Sequence, residues 1–191
     1  MLRLLQNYMN RFFPLVRADD GRVFMKTAAV GGALGMVLLL VPQLEGLRLG
    51  AYLDSAGIPT ICYGHTASVR MGQTRSEAEC AELLKGDLGV ALAAVRRNVH
   101  QPIPESMEAA LASFTYNVGV TAFEHSTLLR LVNQGQFRDA CAQMKRWNCE
   151  KAPAGLGDKT GNCKTAKRNK RFNKGLAKRR DMEVAVCLRD I

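Results

Sequence analysis

The stretch Glu45-Gly46-Leu47-Arg48-Leu49-Gly50-Ala51-Tyr52-Leu53-Asp54-Ser55-Ala56-Gly57-Ile58-Pro59-Thr60-Ile61-Cys62-Tyr63-Gly64-His65-Thr66 decides how this chain is read. It sets Glu45 and Asp54 nine residues apart and Thr60 six further on. Glu45 is expected to close a short helix, because Gly46 and Gly50 disfavour its continuation. Tyr52, Thr60, Ile61 and Tyr63 favour strands and Ser55-Ala56-Gly57 favours a turn, so residues 51–66 are expected to form a small hairpin. Two carboxylates on opposite sides of a bond are the minimum equipment for hydrolysing a glycoside.

Upstream, residues 27–41 carry no charge, between Lys26 and Pro42. Fifteen helical residues span roughly 23 Å, short of the ~30 Å hydrocarbon core. Residues 27–44 are therefore expected to form a marginal signal-anchor, diluted by Gly31, Gly32 and Gly35. Five cations against Asp19 and Asp20 hold residues 1–26 in the cytoplasm as a basic leader and send the rest outward. Leu2, Leu5, Met9, Phe12 and Phe13 suggest an amphipathic helix in that leader. A cleaved signal peptide fits less well, because no small-x-small site follows the run. A buried core helix is the other reading.

Downstream the pattern is helical. Ser76 and Glu79 form a capping box opening a helix to about Asn98. Pro104 starts the next, with Met107, Ala110, Leu111 and Phe114 inward. Shorter helices follow around 121–133 and from Phe137 to Trp147, and a last one holds Leu176, Met182, Val186 and Leu188. Residues 148–174, rich in Gly, Asn and Lys, are expected to be a long loop.

A chain of 191 residues holds one domain with a real core and an appendage. Its net charge of +10 suggests an anionic partner. Ten cations and no acid fall between Lys159 and Arg180, either a grip on anionic cell wall or a solvated face. Only Phe172 offers base stacking there, so nucleic acid is not an expected partner. The six cysteines all lie after residue 60, which fits an oxidising compartment, with buried free thiols as the alternative. They lack zinc-site spacing, and no metal or cofactor is expected. Cys149 and Cys163 bracket the start of the basic stretch and are candidates for a local disulfide.

With these elements placed, the chain resembles the phage lysozymes of glycoside hydrolase family 24, in particular signal-arrest-release endolysins. The matching residues include Glu45-Gly46, Tyr52-x-Asp54-x-x-Gly57, Thr60 to Thr66, Ser113-Phe114-x-Tyr116-Asn117-Val118-Gly119, Arg146-Trp147 and Gly175-Leu176-x-x-Arg179-Arg180-x-x-Glu183. They cover most of residues 43–190. The link from Trp147 to Gly175 is longer than the family's short turn.

The resemblance implies an α+β, mostly helical lysozyme fold with a small hairpin region and a helical lobe, preceded by the anchor helix, with the catalytic domain over 45–191. It implies hydrolysis of the β-1,4 bond between N-acetylmuramic acid and N-acetylglucosamine in peptidoglycan, causing host lysis. Glu45 takes the general-acid role, for which partial burial must favour its protonated form. Asp54 stays ionised and activates water or stabilises oxocarbenium charge, and Thr60 holds that water. Asn117 and His65 are candidate substrate contacts; the plainer readings are a packing amide and a structural hydrogen bond. The tethered enzyme is expected to be inactive at the inner membrane and active as a periplasmic monomer once a holin or pinholin acts. A tethered, non-catalytic wall-binding protein and a lytic transglycosylase are the alternatives.

Overall fold

The computed structural model describes residues 15–17, 23–25, 32–54, 56–151 and 170–191. Within residues 1–32 the described element is an antiparallel pair, β1 (Leu15–Arg17) against β2 (Val23–Met25), with Val16 opposite Phe24. The leader helix expected around Leu2 to Phe13 lies outside the described residues.

Helix α1 (Gly32–Leu44) is the described part of the expected anchor. Its 13 residues rise about 20 Å. Ala33, Val37 and Val41 recur every four residues and enter the main hydrophobic core. Among the described residues no helix is long and apolar enough to cross a membrane. Here one stripe of the apolar run fills the protein interior.

β3 (Arg48–Leu53) and β4 (Pro59–Cys62) form the expected hairpin. Arg48 lies opposite Cys62 and Tyr52 opposite Thr60, so β3 bulges between those pairs. Gly57 takes φ +79° in the connecting turn, where a side chain would be strained. On the other edge of β3, Arg75 N–H donates to the Leu49 carbonyl at 2.8 Å.

α2 (Glu77–Asn98) opens as its sequence predicts: Glu79 N–H donates to Ser76 Oγ at 3.3 Å, and Ser76 N–H to Glu79 Oε2 at 2.7 Å. That backbone hydrogen bond, then the Ser76 hydroxyl, holds the Glu79 carboxyl below the usual carboxylate range. The cap is therefore complete above the ordinary glutamate value and is lost as pH falls through the lowered one. α3 (Glu105–Val118) follows Pro104 and runs through the middle of the core, with Met107, Leu111 and Phe114 fully buried. α4 (Val120–Glu124) and α5 (Thr127–Asn133) follow, the second capped by Ser126, whose Oγ accepts the Leu129 N–H at 3.0 Å. α6 (Phe137–Gln143) ends earlier than expected, and Met144–Arg146 tightens into a 3₁₀ turn. α7 (Lys174–Cys187) closes the core.

The stretch 148–174 departs from the expected loop at both ends. β5 (Cys149–Lys151) pairs antiparallel with β6 (Lys170–Phe172). Glu150 holds the pair together by accepting from Arg171 Nε at 2.7 Å and Asn173 Nδ2 at 2.7 Å. Two disulfides are described, Cys62–Cys80 from β4 to α2 and Cys141–Cys187 from α6 to α7. Cys149 is also disulfide-bonded; Cys163, its expected partner, lies outside the described residues.

Cys62–Cys80 closes a separation of 18 residues. Replacing both cysteines by serine is expected to cost about 3 kcal/mol through the freed unfolded chain. Urea denaturation of the two proteins measures it; equal midpoints would refute it.

Candidate active site

A cleft of about 550 Å³ opens between the hairpin and helices α2 and α3. Glu45, Asp54, Thr60, His65 and Asn117, the five residues singled out in the sequence, all line it. Tyr52, Asp87, Val90 and Tyr116 complete much of the wall.

Glu45 is set by α1. Its N–H donates to the Val41 carbonyl at 2.9 Å, so the helix, buried along one stripe, carries the residue to the cleft. Its carboxylate is 26% exposed and pairs with Arg179 Nη1. Arg179 is 4% exposed and also donates from Nε to Glu183 Oε1 at 2.9 Å and from Nη2 to the Ser113 carbonyl at 3.1 Å. The sequence placed Arg179 and Arg180 in a basic run on the surface. The structure corrects this: both are buried, because Glu183 accepts from each of them on the same helix face. The Arg-Arg-x-x-Glu spacing, three and four residues along a helix, carried that signal.

Asp54 turns back on its own loop. Its Oδ1 accepts the N–H groups of Ala56 and Ile58, both at 2.8 Å. Its own N–H donates to the Ile58 carbonyl at 3.0 Å. Such an Asx turn fixes the carboxylate on the hairpin tip. Thr60 is 3% exposed, and its Oγ1 donates to the same Ile58 carbonyl at 2.9 Å.

His65 engages protein at both ring nitrogens: Nδ1 lies 2.8 Å from Asp87 Oδ2 and Nε2 3.1 Å from the Ala67 carbonyl. This ties the segment after β4 to α2. Tyr116 Oη donates to the Tyr63 carbonyl at 2.7 Å. Burial pushes its phenol well above the usual tyrosine range, so it remains a neutral donor. Asn117 Oδ1 accepts from Arg180 Nη2, and Arg180 Nε donates to the Trp147 carbonyl at 3.0 Å. Burial lowers the Arg180 pKa from the usual arginine range. The sequence reading missed the roles of Tyr52, Tyr116 and Asp87. Only the Tyr116–Tyr63 contact, 53 residues apart in the chain, reveals what Tyr116 holds.

A mostly helical domain that faces a glutamate and an aspartate into one cleft beneath a small hairpin is a glycoside hydrolase of the lysozyme class. The chain belongs to the phage lysozyme family, whose model matches residues 42–183. It is 38% identical to the SAR-endolysin of Bacteriophage PS119, across 84% of this chain and 90% of the relative, and 37% identical to that of Enterobacteria phage P21, across 84% and 92%. Its fold matches the endolysin of Escherichia coli O157:H7 phage FAHEc1 with a TM-score of 0.68 and 31% identity, covering 88% of this chain and 98% of that one. The muramidase domain of SpmX from Asticaccaulis excentricus superposes with the same TM-score at 30% identity, covering 80% and 95%. The protein is thus a phage lysozyme of the SAR-endolysin type, a peptidoglycan-hydrolysing enzyme.

Proposed function

We propose that the enzyme cuts the β-1,4 bond between N-acetylmuramic acid and N-acetylglucosamine, with Glu45 as the general acid. Glu45 protonates the glycosidic oxygen as the bond breaks. Asp54 remains a carboxylate and either activates water or balances oxocarbenium charge. Thr60 orients that water, and Asn117 and His65 shape the sugar sites. The observation carrying this reading is the meeting of Glu45, Asp54 and Thr60 in one cleft.

Residues 27–44 act as an uncleaved signal-anchor behind the cytoplasmic leader 1–26, with the catalytic domain 45–191 in the periplasm. The SAR-endolysin relatives support this. Release, set off by a holin or pinholin, lets α1 leave the inner membrane and pack as it does here. A monomer then acts in the periplasm. Because Glu45 follows α1 directly, lipid-held α1 keeps the acid from its place beside Arg179. The Cys149–Cys163 disulfide staples the basic stretch.

Product analysis of digested peptidoglycan tests the chemistry. Wild type should release free reducing ends, and Asp54→Asn should lose at least about 100-fold in rate. Anhydro-sugar products that persist in Asp54→Asn would instead identify a lytic transglycosylase. In the same assay, membrane-held protein should release few reducing ends and freed protein many; equal rates would refute control by the anchor.

A further inference from the structure

Three carboxylates, Glu45, Asp54 and Asp87, line the cleft, and among the described residues no lysine or arginine does. Such a wall accepts a neutral sugar backbone and repels anions. The substrate proposed above is not neutral throughout: peptides bearing carboxylates branch from its N-acetylmuramic acid units. Those branches are directed out of the cleft, where a cation at its rim could meet them.

Arg48 stands at that rim. It opens β3, is exposed, and lies with its guanidinium carbon 4.3 Å from the centroid of the Tyr52 ring. Tyr52 itself lines the cleft. Among the described residues the Arg48 side chain has no ion pair or hydrogen bond; the stacking on Tyr52 is its one contact of this kind. Arg179 and Arg180, by contrast, are committed to Glu45, Glu183 and Asn117. Stacking on an aromatic face fixes a guanidinium while leaving its edge donors open to a carboxylate. We propose that Arg48 is a specificity-determining residue that binds a carboxylate of the peptide branch while the glycan occupies the cleft beside Tyr52. This rests on the peptidoglycan reading above.

The test compares Arg48→Gln and Arg48→Lys with wild type on two substrates: peptidoglycan bearing its peptides, and glycan strands stripped of them by an amidase. Arg48→Gln should raise KM about fivefold on the peptide-bearing substrate with kcat unchanged, the size of one exposed ion pair. It should leave the stripped strands unaffected. Arg48→Lys should recover most of the loss, and added salt should narrow the gap. Equal losses on both substrates would mean that Arg48 only steadies Tyr52, and the proposal falls. It falls equally if neither substrate responds. Wild type inactive on both would overturn the reading of function itself, and this inference with it.

Discussion

Glu45→Gln should abolish lysis while leaving the protein folded. The amide keeps the shape of the side chain but has no proton to give, so the glycosidic oxygen leaves unassisted. Loss of a positioned general acid costs about 10²–10⁴-fold, and a poor leaving group places the effect toward the upper end. The fold should tolerate the change, because Arg179 keeps its hydrogen bonds to Glu183 and the Ser113 carbonyl, and the Glu45 end of the pair is open to water. Unfolding free energies from the two urea curves should agree within about 1 kcal/mol, as expected for a partly exposed pair. The measurement is reducing-end release from purified peptidoglycan beside a denaturation curve. Hydrolysis within tenfold of wild type would remove Glu45 from the mechanism; a large fall in stability would make its pairing structural instead.

The second large effect is expected away from the cleft. Glu183 is fully buried and is the shared acceptor for Arg179, Arg180 and the Ser113 hydroxyl, the last at 2.7 Å. Two guanidiniums are held inside the protein by this carboxylate and by Glu45. Glu183→Gln preserves volume but removes the central negative charge, leaving Arg180 with Asn117, the Trp147 carbonyl and the Phe114 ring. Breaking a buried pair from one side costs about 3–5 kcal/mol, because the remaining charge is uncompensated. Activity should fall as well, since Arg179 is the link between Glu183 and Glu45. A denaturation midpoint unchanged by the substitution would show that water or rearrangement reaches these arginines.

Local chemistry explains which parts of the fold were legible. The α2 boundary was readable because Ser76 and Glu79 cap it by themselves. The hairpin was readable from its turn residues and strand formers. Glu45, Asp54 and Thr60 were readable because they fall in one contiguous stretch, and the structure gathers them with His65 and Asn117. β5 and β6 were not, being three residues each and held by Glu150 contacts with Arg171 and Asn173 more than 20 residues away. Nor was the burial of Arg179 and Arg180 seen, because a lysine-rich neighbourhood hid their pairing with Glu183 on the same helix and with Glu45, 134 residues away from Arg179. The apolar run ending at Leu44 was ambiguous for a physical reason: lipid and protein interior ask for similar side chains.

That last ambiguity has a consequence for how α1 can vary. Its inward stripe of Ala33, Gly35, Val37, Leu40 and Val41 is mostly small and tightly enclosed. Bulkier hydrocarbon at those positions would fasten the segment more firmly in a bilayer, yet the same bulk would no longer fit the core that α1 shares with α3. Under the release proposed above, one set of side chains would serve two lodgings, and bulk added for one would crowd the other.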